Sequence, residues 1–420
     1  MKLTTTALGL VLAVSASGAS AQYGSAPPPT PQQVPTRPDQ PAEPPKGPAI
    51  NISSSARKSI VELQTAVNAN DVAGIPGKLA AAQAASKTKE DKYIVAQLQL
   101  KAALAAKNNA AIATAIDAVA ASGYVDAAKI SQLYMGLGSQ LYSAKQWDQA
   151  AAAFERASAT NPANVDAMIN LAETRFAQGR KAEAAAGFQR VMQARQAAGM
   201  KAEEALYKRA VGVAYDAQLP VATELSRQWV AAYPSPESWR NSIAIYRNLT
   251  KPDVEGTLDL LRLMQAAGAL ATPADYNLFA TAAADQSNFV EAQAVIDAGL
   301  AAKHIDGNSP MFKDIIAALK TKPKPTQADL ATATKTAVSG MAVLRIGDRY
   351  YAMGQYAKAV DAYRLAMGKP GVDPNVANLH IGMALARAGD KAGATTALNA
   401  VSGPRAEIAK YWLLYLSKQA

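Results

Sequence analysis

The 420-residue chain contains no cysteine. Disulfide staples, thiol nucleophiles, thiolate metal sites and lipid attachment at an N-terminal cysteine are therefore excluded. Histidine is almost as scarce, with His304 and His380 far apart in sequence. A zinc site takes about four ligands, so here it would be nearly all carboxylate, which is unusual for zinc. Beyond the N-terminus, no apolar run approaches the roughly 20 residues that cross a bilayer. Aromatic residues make up only 6% of the chain. The formal net charge is +10, yet Lys and Arg are spread among the acids. Nucleic-acid binding needs clustered positive charge with aromatics interleaved, and that pattern is missing. What the chain has in quantity is alanine, within a hydrophobic half. That is ample for a core of many closely packed helix faces. The basic balance fits a plain solvated surface or attraction to an anionic polymer or membrane surface.

The chain opens with Met1-Lys2, continues with the apolar run Ala7–Ala16 and reaches Ala19-Ser20-Ala21, small residues of the kind a signal peptidase reads. Residues 1–21 are expected to be a cleaved secretory signal peptide, with Gln22 the new terminus. The apolar run is too short to remain as an anchor. Residues 22–52 contain PPPTPQQVPTRPDQPAEPPKGP, which cannot bury enough surface to fold. They are expected to form a disordered, partly polyproline linker. The mature chain is then expected in the periplasm, soluble and not a lipoprotein. Zero cysteine is compatible with that oxidising compartment.

From Ser53 onward the pattern is helical. In Ser131–Pro162, Tyr134, Leu137, Gly138 and Leu141 share one face of a first helix, and Ala150, Phe154 and Ala157 share one face of a second. Lys145-Gln146-Trp147-Asp148 turns the chain between them, and Pro162 stops the second. Small residues at Gly138 and Ala150 would let the helices approach, while Tyr134 and Phe154 fill the space around the contact. Residues 165–198 repeat the scheme with Leu171, Ala172, Gly179, Ala184 and Phe188. So do 340–367, with Ile346, Gly347, Tyr350, Gly354, Tyr356, Ala359, Tyr363 and Ala366, and 375–400, with Gly382, Leu385, Gly389, Ala394 and Leu398.

This large/small pattern resembles the tetratricopeptide repeat. Tyr134 departs from it, since the family most often has Trp there, and Arg175 falls where an aromatic usually sits. The resemblance is strong over about four units and loose elsewhere. It implies an all-α, right-handed superhelical solenoid of stacked antiparallel helix hairpins, in an exported bacterial protein. A helix opened by Pro404 and carrying Ile408, Trp412, Leu413 and Leu416 would cap the C-terminal end, with Lys410, Lys418 and Gln419 toward water. The expected lobes are 53–320 and 328–420, divided by the basic, proline-interrupted segment 321–327.

Catalytic chemistry is hard to find. His304 reads as a helix-end residue and His380 as a groove or packing residue, neither with an orienting partner visible in sequence. Gly74–Leu79 lacks the first glycine of a phosphate loop and has Leu79 where Ser or Thr would bind magnesium. Gly136 and Gly138 follow no strand, so a dinucleotide reading fails. The expectation is a non-enzymatic protein without cofactor or metal.

In the family the first helix of each hairpin lines a concave groove that takes extended or helical peptides. Carried over by position, the resemblance places Tyr142, Asn170, Phe176 and Tyr351 on groove-facing or groove-edge slots. Arg209, Arg240, Asn241 and Arg247 would add a basic, amide-bearing strip. Arg binds carboxylates bidentately and Asn holds a peptide backbone. The expected partners are therefore other envelope proteins or acidic or C-terminal peptides, in assembly, secretion or division. The alternative is an anionic polysaccharide or peptidoglycan. No nucleic acid and no transmembrane segment in the mature chain are expected. The Lys/Asn clamp used by partners of cytosolic heat-shock chaperones is not reproduced: its slots hold Met135, Ser139, Asp166 and Asn170, of which only Asn170 fits.

Overall fold

The computed structural model describes residues 50–419; the expected signal peptide and most of the expected linker lie outside the described residues. Every regular element among the described residues is helical, with 21 α-helices and one 3-10 turn. By internal contacts the chain divides into two compact units, one ending at Arg180 and the other beginning at Lys181.

The first unit comprises α1 (Ser54–Asn68), α2 (Ile75–Ala85), α3 (Lys89–Ala105), α4 (Asn109–Ala121), α5 (Ala127–Ser143), α6 (Trp147–Thr160) and α7 (Val165–Ala177). Each packs against the next, as hairpins joined by short turns must. There is no single centre. One small core gathers Ile60, Leu63, Val67 and Val95, and a second gathers Leu100, Ile116, Tyr134, Leu137 and Phe154. Asp91 fastens α3 to the start of α1. Its carboxylate accepts from the Ser53 N–H at 2.9 Å and the Ser53 hydroxyl at 2.7 Å, and it completes a capping box with Thr88. Burial works against the ionised form, but hydrogen bonds from Ser53, Thr88 and Lys87 outweigh it and lower the pKa to about 2.

The second unit begins with α8 (Lys181–Ala197), α9 (Glu204–Asp216), α10 (Val221–Ala232), α11 (Pro236–Thr250), α12 (Val254–Ala266), α13 (Pro273–Asp285) and α14 (Phe289–Ala301). It continues with α15 (Pro310–Thr321), α16 (Gln327–Thr336), α17 (Gly340–Ala352), α18 (Tyr356–Met367), α19 (Pro374–Ala388), α20 (Lys391–Asn399) and, after a 3-10 turn at Gly403–Arg405, α21 (Ala406–Lys418). Residues 322–326 connect α15 to α16, and one hydrophobic core includes residues from both sides of that connection.

The small residues expected to admit close helix approach do so. A Cβ added at Gly138 would come within 3.0 Å of the Phe154 ring, at Gly347 of the Tyr363 ring, and at Gly382 of Leu398. The same contact therefore recurs in three hairpins.

Two features of the second unit go beyond a simple stack. First, α12 is enclosed on all sides: Leu258, Asp259, Leu260, Leu261, Arg262, Leu263 and Met264 are all buried. Second, α21 does more than cap α19 and α20. It folds back onto α10 and α12, across gaps of about 150 to 180 residues. Tyr411 Oη lies 3.0 Å from Ser242 Oγ, Tyr415 donates to the Ala266 carbonyl at 3.2 Å, and Arg227 pairs with Glu407. Tyr411 and Trp412 are wholly buried, each worth roughly 1.5–3 kcal/mol by apolar burial. Lys410 and Lys418 are exposed as expected, whereas Gln419 is half-buried.

Candidate functional site

An open concavity of the second unit lies between α9 and α11, with Trp229 of α10 contributing to its lining. On α9, Lys208, Val211, Gly212 and Tyr215 recur at the spacing of one helical face; on α11, Glu237, Asn241, Ala244, Ile245 and Asn248 do the same. The cleft holds about 390 Å³. Its ends are polar: Asn248 Nδ2 donates to Tyr215 Oη at 2.8 Å, and Lys208 Nζ lies 3.1 Å from the Glu237 carboxylate. Trp229 is held by its indole N–H donating to Glu204 Oε1 at 3.1 Å, with Lys208 over the ring. Nothing lies within 4 Å of a Cβ placed on Gly212, so this glycine opens the cleft rather than admitting a neighbouring helix. An apolar trough with amides along one wall suits an extended polypeptide.

Among the residues singled out from sequence, Asn241 lines this cleft. Arg240 and Arg247 lie on the adjacent face of α11, toward α13. Arg240 Nε contacts Asp275 Oδ2 at 2.9 Å. Burial lowers the Arg247 pKa, with Asp275 opposing the shift. Arg209 is half-buried on α9. Tyr351 on α17 is buried, packed edge-on against Tyr356, with the Arg262 guanidinium 5.4 Å from its ring centroid. In the first unit, Tyr142 packs edge-on against Trp147 at 4.8 Å, and Asn170 and Phe176 are half-buried on α7.

A buried ion network was invisible in sequence. It joins α12, α14, α17 and α19. Arg262 donates to both oxygens of Glu291, at 2.7 and 2.8 Å, and contacts Asp259 at 3.2 Å and Asp348 at 3.4 Å. His380 sits between Asp259 and Asp348, its nitrogens 3.0 and 3.2 Å from their oxygens. Burial disfavours its charged form, yet the two carboxylates outweigh burial and raise its pKa to about 10. Asp348 is held well below the carboxylate range: Arg262 and His380 overcome its burial. Such a histidine is protonated at neutral pH and has no free lone pair to act as a base. Among the described residues no group of acids and histidines could hold a metal ion; here Arg262 lies among the carboxylates. Asp348 and Tyr351 are on the same helix, α17, and both meet Arg262 of α12. The side of α17 where the repeat pattern places its groove is thus occupied by a helix of the same chain.

The fold defines a helical-hairpin repeat protein. A family model described as Tetratricopeptide repeat matches residues 141–203, so the chain carries tetratricopeptide repeat sequence there, over α6 and α7 of the first unit and α8 of the second. That repeat is a protein–protein interaction scaffold, and typically not a catalytic one. No curated protein matches the chain. No helix among the described residues is long and apolar enough to cross a membrane.

Proposed function

We propose that this chain is a periplasmic adaptor that holds other cell-envelope proteins by extended segments laid in the α9–α11 cleft. The observation that carries the reading is the cleft itself: an apolar trough between two helices, kept open at Gly212 and edged by Asn241 and Asn248. Amides on the α11 wall can bond a peptide backbone along one edge. Arg240 and Arg247, on the neighbouring face, favour an acidic segment, though Arg240 must then share Asp275. The N-terminal pattern of Met1-Lys2, Ala7–Ala16 and Ala19–Ala21, with the lack of cysteine, supports export.

Capture of partners by the wild type and by Gly212→Gln tests the cleft. The substituted side chain would fill it without touching the core. Loss of partners with an unchanged melting temperature is expected; unchanged partners would remove the cleft from consideration. The net charge of +10 favours a second reading, an anionic envelope polymer bound over the basic surface. That binding would fade steeply with salt, whereas an apolar cleft would keep its partner.

A further inference from the structure

Ala337-Val338-Ser339 joins α16 to α17, and Gly340, which opens α17, is clasped by the end of α18. The Gly340 N–H donates to the Pro370 carbonyl at 2.9 Å. A Cβ placed on Gly340 would lie 2.7 Å from the Ala366 carbonyl oxygen and 3.0 Å from that of Lys369. The end of α16, the start of α17 and the end of α18 therefore form one tip. Val338, Met341 and Met367 all stand exposed there, and Val338 is 85% exposed. Single apolar side chains in water are ordinary, but a group of them at one place marks a contact surface.

The surroundings of the tip are basic. Lys335 is exposed on the last turn of α16, and the half-buried Lys369 follows Met367 by two residues. Among the described residues no acid forms an ion pair with either lysine. The acid nearest to Lys369 in sequence, Asp373, accepts from the Asn375 N–H at 2.8 Å and from its side-chain amide at 3.0 Å. Leading up to the tip, residues 303–335 carry six lysines against three aspartates, with no arginine or glutamate. Of those aspartates, Asp329 is engaged in the capping box of α16 and Asp306 accepts from the Asn308 N–H.

We propose that this tip is a peripheral docking surface for an anionic phospholipid bilayer. Val338, Met341 and Met367 enter the boundary between headgroups and acyl chains, while Lys335 and Lys369 meet the lipid phosphates. Methionine is unbranched and adaptable, which suits a fluid boundary better than a fixed pocket. Lysine meets phosphate as a point charge on a flexible stem and needs no matching shape. No described helix is long and apolar enough to cross a membrane, so the contact is made from one side. The tip shares no residue with the α9–α11 cleft, and the failure of either leaves the other standing.

Because the chain has no cysteine, Val338→Cys carrying an environment-sensitive fluorophore reports on this one position in the full-length protein. The probes are vesicles of phosphatidylcholine alone and of phosphatidylcholine and phosphatidylglycerol in equal parts. A saturable blue shift with the anionic vesicles is expected, small with phosphatidylcholine alone and absent when the label sits at the exposed Val72→Cys. Each lysine at an anionic surface is worth roughly fivefold in binding. Read from the same label, Lys335→Gln should weaken binding by about that factor, and Lys335→Gln/Lys369→Gln by about tenfold or more. Met341→Asp/Met367→Asp should weaken it by about tenfold or more as well. Lys335 is exposed, so its single variant keeps the fold whatever the double variants do. No shift with either vesicle, equal shifts from positions 338 and 72, or indifference to Lys335→Gln would overturn the surface. Indifference to the methionine substitutions, or the same shift produced by soluble alginate, would overturn the bilayer as its partner.

Discussion

Arg262 on α12 and Glu291 on α14 meet through two parallel hydrogen bonds, Nε to Oε1 at 2.7 Å and Nη2 to Oε2 at 2.8 Å, with both side chains removed from water. The pair is the centre of the charge network that fastens the enclosed helix α12 to its surroundings. Neither charge has solvent to fall back on, so each depends on the other. Removing one partner of a buried pair typically costs about 3–5 kcal/mol, because the survivor is left uncompensated. Arg262→Met is therefore expected to destabilise the second unit by that order, and Glu291→Gln by less, since an amide still accepts from the guanidinium. The double replacement Arg262→Met/Glu291→Met should recover part of the loss. Denaturant unfolding of the three variants checks the order.

The dependence of stability on pH should show two limbs. Asp91 has a folded pKa near 2 against 3.8 for a free carboxyl. Its contribution is complete above 3.8 and is lost as pH falls toward 2. His380 has a folded pKa near 10 against 6.5. Its contribution is complete below 6.5 and is lost as pH rises through about 10. Unfolding measured from pH 2 to 11 should therefore show a fall at each end. Asp91→Asn should flatten the acid limb, and His380→Gln the basic one. An unchanged basic limb in His380→Gln would mean that the histidine is not held as a cation.

Two glycines should respond to the same substitution with opposite signs. Alanine is better than glycine within a helix by about 1 kcal/mol. At Gly347 that gain meets the Tyr363 ring, which a Cβ would overlap, and overpacking costs about 1–3 kcal/mol. Gly347→Ala is expected to lower stability by about 1 kcal/mol. At Gly212 there is nothing to meet, so Gly212→Ala should raise stability by up to about 1 kcal/mol. Paired melting curves decide it.

The hairpins were legible because their contact is local. Gly138 and Phe154 lie sixteen residues apart, as do Gly347 and Tyr363 and Gly382 and Leu398, so one spacing rule finds all three. Helix α16 was not anticipated, although Thr326 and Asp329 form a capping box at its start; the prolines just before it drew attention to a break instead. The ion network could not be read, since Asp259, Glu291, Asp348 and His380 are brought together only by packing across more than a hundred residues. The single clue was Arg262 inside the apolar run Leu258–Met264, a charge where only an enclosed partner can satisfy it. The return of α21 to α10 and α12 was hidden for the same reason. Of the eight positions singled out for binding, Asn241 meets the cleft, because residue type alone does not say which side of α11 looks toward α9.

Photo-crosslinking from position 212, with a photoreactive residue in place of Gly212, in cells that export the protein, tests the adaptor reading most directly. Discrete protein adducts are expected there. They should persist when cells are irradiated and lysed in high salt, and be absent from the same residue placed at the exposed Arg364 of α18. No protein adduct from position 212, or the same adducts from both positions, would contradict a partner segment seated in the α9–α11 cleft.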